Sequence, residues 1–394
     1  MLHIWPLLPI AMRVQMGDDD ELDNVIAALE HNDRICQLDF HECPRSVLEK
    51  VFLAMQQPFP ALTDLVLMPD GISVPQVPDS FLAGSAPELQ RISLLGIPFP
   101  GLPKLLLSAT RLIDLDLQRI PHSGYISPEA MVTCLSTLTS LKRLHISFES
   151  PRSCPDRRRR RPPPLTRTLV PVLTQLVFRG ISEYLEDLVA RIDAPLLDKL
   201  KITFFHQLIF DTPQLAQFIG RTPNFKAYDE ARVTFNSLGV HVEVPHTFDG
   251  ALRLGTSCRK PDWQFSSLAQ VCGSSFPQGL IPMVEHLYIE CSYWDFPSND
   301  DIENSLWLEF LHPFTAVKDL YISWKFTPSI ASALQGLSGE RATEVLPALQ
   351  SLFLGQHTSE DSRVQAEESI GRFVSARQLA GHPISVSRWD WEGQ

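Results

Sequence analysis

Cys36, His41, Glu42 and Cys43 bring two thiols, an imidazole and a carboxylate into one short stretch, a donor set that zinc accepts. A structural zinc site normally takes its ligands as two close sets. This chain has no second set and no Cys-x-x-Cys. Cys36 also falls on a strand position of the pattern described below, so the four read as ordinary structural residues. Asp18, Asp19, Asp20 and Glu21 offer a row of carboxylates without the spaced oxygens and turn glycine of a calcium loop, and read as a solvated loop. His145 and His286 alternate with leucines as solvated strand residues do, and no nucleophile can be named beside either as the partner of a general base. Gly-x-Gly-x-x-Gly, Gly-x-x-x-x-Gly-Lys-Ser/Thr, Gly-x-Ser-x-Gly and His-Glu-x-x-His do not occur. The expectation is a non-enzymatic chain with no metal and no cofactor.

Composition narrows the partners. With 46 acidic and 34 basic residues the net charge is -12, which repels polyanions, so neither nucleic acid nor an anionic membrane is expected. Seven cysteines without a Cys-x-x-Cys pair, and no Asn-x-Ser/Thr, favour a reducing compartment, cytoplasmic and/or nuclear. The apolar run Ile4 to Ala11 is broken by Pro6 and Pro9, and no later segment reaches the ~18 apolar residues of a spanning helix. A soluble protein is expected. At 44% hydrophobic the chain is not disordered, and 32 Pro against 19 Gly speak for many chain reversals.

The residues that would do any work are positioned by a repeat. An apolar residue, two others, an apolar residue, one other and a third apolar residue recur as Ile35-Leu38-Phe40, Leu62-Leu65-Leu67, Leu89-Ile92-Leu94, Leu112-Leu115-Leu117 and Leu141-Leu144-Ile146. The pattern continues as Leu173-Leu176-Phe178, Leu197-Leu200-Ile202, Val284-Leu287-Ile289, Val317-Leu320-Ile322 and Leu349-Leu352-Leu354. Middle residues stand 27, 27, 23, 29, 32 and 24 apart in the first seven copies and 33 and 32 apart in the last three. The last two apolar residues share one face of a short strand, and the first turns the chain into it. Phe225-Tyr228, His241 to Val244 and Ala251 to Leu254 would fill the gap between Leu200 and Leu287 with three blurred copies. Helical period runs between strands over Pro44 to Met55, Ser127 to Leu138, Ile181 to Ile192, Thr212 to Ile219, Ile302 to Leu311 and Val364 to Leu379.

Strand and helix alternating at this interval predict an α/β solenoid, a horseshoe of irregular 23–33-residue units, each burying its apolar edge against its neighbours. A compact α/β domain with leucine-rich strands is the alternative, and ten well-matched copies argue against it. Residues 1–30 read as an N-terminal capping segment, 31–360 as the solenoid and 361–394 as a C-terminal cap with a helix over Ser362 to Leu379 and a strand over Ile384 to Trp389. Within the solenoid, 151–166 reads as an inserted basic and proline-rich loop. Its run Arg157 to Arg161, followed by Pro162 to Pro164, is either a nuclear signal, a basic handle or a variable loop.

The copies resemble leucine-rich repeats, departing from them where Ile97, Ile120 and Ile181 stand in place of the asparagine or cysteine. Longer phrases sharpen the resemblance: Trp5-Pro6-Leu7-Leu8-Pro9-Ile10, Ile26 to Arg34, Ile192-Asp193-Ala194-Pro195-Leu196-Leu197-Asp198-Lys199-Leu200 and Leu311-His312-Pro313-Phe314-Thr315-Ala316-Val317. Together they are similar to the mushroom-type fungal F-box-like leucine-rich-repeat proteins. That resemblance implies a region that recruits a protein substrate to an SCF-type ubiquitin ligase. No F-box phrase is present; Pro44 to Phe52 is placed by its spacing as the helix between two repeat strands. The box, and contact with the Skp adaptor, are expected only from sequence upstream, either missing from this chain or lost. The alternative is a free-standing scaffold with no ubiquitin role.

In a solenoid the residues flanking each buried pair line the concave face, where a protein partner would sit. That rule selects Asp114, Asp116, Arg143, His145, Lys199, Lys201, His286, Tyr288, Asp319, Tyr321 and Phe353 as candidate groove residues. Acid comes first, then base, then three aromatics. Such a mixture suits a protein surface, for which Tyr and Arg are typical anchors.

Overall fold

The computed structural model describes residues 8–15, 22–71, 74–155, 166–207, 210–226, 228–245, 251–277, 279–291, 303–337, 341, 343–355 and 360–389. The Asp18 to Glu21 run, the arginine run Arg157 to Arg161 with its three prolines, and the Trp5-Pro6-Leu7 phrase lie outside the described residues. The chain is mixed α/β, its strands mostly parallel, and divides into two units at Lys199/Leu200. Among the described residues no helix is long and apolar enough to cross a membrane.

In the first unit, most copies begin with the same turn. The amide of the first apolar residue donates to the carbonyl three residues back: Leu62 to Phe59, Leu89 to Ala86, Leu112 to Ala109, Leu141 to Leu138 and Leu197 to Ala194, at 3.0–3.2 Å. The following amide then bonds to the preceding copy, as Gln90 does to Thr63, Ile113 to Gln90 and Lys142 to Ile113, at 2.7–2.8 Å. Buried backbone groups at the turn are thus satisfied by the next unit. The strands are β1 (Ile10–Gln15), β2 (Ile35–Cys43), β3 (Asp64–Pro69), β4 (Arg91–Leu95), β5 (Asp114–Ile120), β6 (Arg143–Phe148), β7 (Thr168–Leu169), β8 (Gln175–Gly180) and β9 (Ile192–Asp193). All but β7 and β9, which form a pair of their own, lie side by side in chain order and run parallel.

Register aligns the copies residue for residue. Leu38, Leu65, Ile92, Leu115, Leu144 and Leu176 make one buried row, and Phe40, Leu67, Leu94, Leu117, Ile146 and Phe178 the next. Removing a side chain such as Leu115 would cost about 2–5 kcal/mol. Helices fill the connections: α1 (Leu22–Leu29), α2 (Arg45–Ala54), α3 (Leu102–Ser108), α4 (Pro128–Leu135) and α5 (Ser182–Val189). Ser127 caps α4 by accepting from the Ala130 amide at 3.2 Å, with Pro128 in the first turn, where its missing N–H costs nothing. Two findings differ from the expectation. Ile10–Gln15, read as part of a cap, is a full strand paired to β2, and α3 had no periodic signal long enough to announce it. Where strands end in bulges, Glu42 and Arg119 take positive φ of 49° and 51°, conformations that side chains bearing a Cβ adopt at a cost.

The second unit contains β10 (Lys199–Phe205, entering at its border), β11 (Glu230–Asn236), β12 (Gly239–Pro245), β13 (Ala251–Ser257), β14 (His286–Cys291), β15 (Asp319–Ile322), β16 (Ser351–Gly355) and β17 (Ser385–Trp389). Their order is β10-β13-β12-β11-β14-β15-β16-β17. From β11 through β14 to β17 the pairing is parallel and in register, so Leu287, Leu320 and Leu352 align as the corresponding leucines do in the first unit.

The middle of this unit departs from the repeat. Residues 241–244 and 251–254 belong to β12 and β13; β12 pairs antiparallel with β11 on one side and with β13 on the other, and Phe225 and Tyr228 precede β11 in a turn. The cause is the connection length. Only Ser237 and Leu238 join β11 to β12, too short for a crossover helix, and Asn236 closes the turn by accepting from the Leu238 amide at 2.9 Å. Gly239 is required there, because a Cβ would stand 2.1 Å from the Thr256 carbonyl oxygen.

Five helices accompany these strands: α6 (Pro213–Arg221), α7 (Pro261–Ser274), α8 (Asn304–Leu311), α9 (Thr327–Gln335) and α10 (Glu360–Leu379). The last four pack in succession. Trp307 of α8, fully buried, meets Phe265 of α7 at 4.4 Å and Phe326 at 5.5 Å between ring centroids. The closing helix and strand expected over 362–379 and 384–389 are α10 and β17.

Candidate functional site

Strand alternation leaves one face of each unit's parallel strands turned away from the helices. The sequence-derived groove residues lie on these faces in two sets, one in each unit.

In the first unit, register sets Arg91, Asp114 and Arg143 side by side on β4, β5 and β6, and Ser93, Asp116 and His145 one step further along. Asp114 Oδ2 accepts from Arg143 Nη2 at 2.7 Å, with Arg91 Nε at 3.8 Å on its other side. Asp116 is held more fully: His145 Nδ1 lies 2.8 Å from Oδ1, while Ser93 Oγ and Gln118 Nε2 donate to Oδ2 at 3.0 and 2.9 Å. Burial raises the Asp116 pKa, but these donors and the His145 charge outweigh it and hold the carboxyl below its ordinary value. The same device recurs on β2, where Asp39 takes Arg13 at 2.9 Å and His41. His41 is therefore engaged with Asp39, while Cys43 is buried among the core residues. Among the described residues no three His, Cys, Asp or Glu side chains gather as a metal ion would need. Acid and base on this face answer one another across strands, so little net field is left for an external ion.

The second unit's face is built differently. His286 of β14 pairs with Asp319 of β15 at 2.9 Å. One step along, Tyr288, Tyr321 and Phe353 stand opposite one another on β14, β15 and β16. Their rings stack nearly parallel: 4.3 Å and 9° for the first pair, 4.3 Å and 6° for the second. Trp389 of β17 leans back across them, 5.4 Å from Tyr321 and 5.9 Å from Tyr288. On the other side Arg232 of β11, opposite Tyr288, places its guanidinium 4.9 Å from the ring centre. Burial, with Glu230 and Tyr321 beside it, pushes the Tyr288 phenol up to about 12, so it is a neutral donor at physiological pH.

Beyond Arg232 lies a second polar group that the repeat pattern did not disclose. Arg232 Nε donates to Glu230 at 2.6 Å; Glu243 stands directly opposite it on β12, and Glu290 diagonally from it on β14. Arg253, opposite Glu243, approaches it at 3.8 Å and donates to His241 Nδ1 at 3.0 Å. Burial, then the charges of Arg253 and Lys201, lower the His241 pKa to about 3, leaving a neutral acceptor. Glu290 is 6% exposed, its Oε1 has no hydrogen-bond partner, and burial, opposed by Arg232 and reinforced by Glu230 and Glu243, raises its pKa to about 7.

Lys199 and Lys201, the two expected bases of β10, are half-buried and join neither the stack nor the His286–Asp319 pair. Sequence reasoning found the three stacked aromatics and missed Arg232, Glu230, Glu243, Glu290 and Trp389. The strict alternation of polar and apolar residues from Glu230 to Asn236 was the available signal for the first two. No family model matches this chain, and no curated protein matches it.

Proposed function

We propose that this chain is a non-catalytic protein–protein interaction module whose strands and helices form a leucine-rich-repeat solenoid. In this reading it is the substrate-recruiting region of an F-box-type SCF ubiquitin ligase subunit, of the mushroom-type fungal kind it resembles, with the Skp-binding box supplied upstream. The observation that carries the interaction role is the Tyr288–Tyr321–Phe353 stack on an open strand face, flanked by Arg232 and Trp389. Preorganised aromatics lose little side-chain entropy on binding and offer large apolar area, which is why Tyr, Trp and Arg dominate binding hot spots. The self-paired charges of the first unit would contribute register and exclusion of wrong partners rather than affinity.

The second reading is a free-standing scaffold. Its support is the placement of Pro44 to Phe52, the segment nearest to an F-box phrase: α2 buries Val47, Leu48, Val51 and Phe52, as a helix between two strands does.

Affinity capture with the Tyr288→Ala/Tyr321→Ala double variant tests the module, with circular dichroism to establish that it folds. Partners held by the wild type should be lost at least tenfold; retention of the same partners at the same strength would remove the stack as anchor. Adding the upstream genomic sequence and measuring Skp adaptor binding separates the two readings, since the scaffold predicts none.

A further inference from the structure

One carboxyl oxygen beside Arg232 is left without a donor. Arg232 sits within a single lattice of cross-strand neighbours that includes three carboxylates: Glu230 two residues before it, Glu243 opposite and Glu290 diagonal. It bonds to Glu230, and Arg253 serves Glu243 loosely at 3.8 Å. Glu290 is left 94% buried with an oxygen that nothing among the described residues hydrogen-bonds, on the strand whose Tyr288 ring carries the Arg232 guanidinium. A buried carboxyl oxygen without a donor is unfavourable, and the through-space charge of Arg232 offsets that only in part.

We propose that this face of the second unit receives an arginine side chain of a partner protein, its guanidinium seated against Glu290 beside Arg232 and the edge of the tyrosine stack. This rests on the reading of the stacked face as a partner-binding surface and names the chemistry of what it takes. Arginine fits better than lysine, because a planar guanidinium both pairs with a carboxylate in two places and lies against an aromatic ring. The net charge of -12 steers a basic partner toward the chain from a distance. Arg232, with 41% of its side chain exposed, is the group that moves to admit it.

Docking is coupled to a proton. Before the partner arrives, Glu290 holds its proton up to about pH 7; seating a cation favours the ionised form, so that proton is released to solvent. The groups that share its surroundings are Lys201 on β10, Glu230 and Arg232 on β11, Glu243 and His241 on β12, Arg253 on β13, Tyr288 and His286 on β14, and Asp319 and Tyr321 on β15. His241, lowered to about 3, and Tyr288, raised to about 12, do not titrate between pH 6 and 8, whereas Glu290, raised to about 7, does.

Three end-blocked tripeptides, with arginine, lysine or glutamate between two alanines, serve as probes in calorimetric titrations of the full chain at pH 6 and pH 8. The arginine probe should bind saturably, several-fold tighter than lysine, with glutamate undetectable, and should tighten about tenfold from pH 6 to pH 8 as the ionised fraction of Glu290 grows. Glu290→Gln should abolish that pH dependence, whereas His286→Gln should keep it; Glu243→Gln gives an independent weakening should Glu290→Gln perturb folding. No saturable arginine binding, equal binding of all three probes, or a pH trend that survives Glu290→Gln overturns the proposal. A null result here alongside loss of partners in the double tyrosine variant removes the arginine and leaves the interaction face standing.

Discussion

The guanidinium of Arg377, in α10, donates to the carbonyl of Leu346 at 3.3 Å, and the same side chain reaches Pro347 and Leu349 at 3.3 and 3.1 Å. Leu346 holds a positive φ of 53°, so its turn, the last before β16, is strained and offers its carbonyls inward. Arg377 is fully buried, and desolvation alone lowers its pKa from the usual arginine value. Arg377→Met should therefore destabilise by about 3 kcal/mol, because two buried carbonyls and one partly buried carbonyl lose their donor together. Arg377→Lys should recover less than half, since one ammonium cannot span the three acceptors. Urea unfolding of both variants checks this; a methionine variant as stable as wild type would show the carbonyls find other donors.

The two hairpin and helix glycines of the second unit should respond to alanine with opposite sign. At Gly239 the new Cβ meets the Thr256 carbonyl oxygen at 2.1 Å, a backbone atom that cannot yield without opening β12 from β13, so Gly239→Ala should cost about 2–3 kcal/mol. At Gly273, inside α7, no atom lies within 4 Å, and Gly273→Ala should stabilise by about 0.5–1 kcal/mol through the helical preference of alanine. Thermal midpoints of the pair, moving in opposite directions, are the expected result.

Leucine spacing made the parallel strands legible, since an apolar pair two apart can face only one side of a strand and every such pair, from Leu38/Phe40 to Leu352/Leu354, stands on one in its own β element. The positions flanking each pair are legible for the same reason, Tyr288, Tyr321 and Phe353 among them. What escaped was everything that depends on partner identity across strands. Valine and phenylalanine replace leucine in β11 and β12, and a two-residue turn reverses the chain, so the motif spacing there measured hairpin strands rather than units. Glu290 reads as a plain polar residue in sequence; only register sets it diagonally from Arg232 and leaves its oxygen without a donor.

The seven cysteines divide by surroundings into buried and partly exposed. Burial pushes Cys134 up to about 11 and Cys272 up to about 12, so both stay protonated near pH 8 and should resist a maleimide reagent in the folded chain. Cys36 and Cys291, partly exposed, should label first. Mass spectrometry after brief labelling should find those two, with Cys134 and Cys272 modified only in denaturant; early labelling of Cys272 would mean that α7 opens readily.

Glu290 should make stability fall as pH rises. Its folded pKa is about 7 against an ordinary value of 4.5, so between these limits the folded chain keeps a proton that the unfolded chain has lost, and folding is favoured by acid. Above pH 7 both states are ionised and the full desolvation penalty is felt. Glu290→Gln keeps the shape and removes the charge, so it should raise stability by about 2 kcal/mol at pH 8 and change it little at pH 4.5. The difference between variant and wild type cancels the other titrating groups, Asp116 among them, whose lowered pKa acts in the opposite direction and is lost only as pH falls through its folded value. Urea midpoints at the two pH values give that difference directly, and a glutamine variant no more stable than wild type at pH 8 would mean that Glu290 reaches solvent when it ionises.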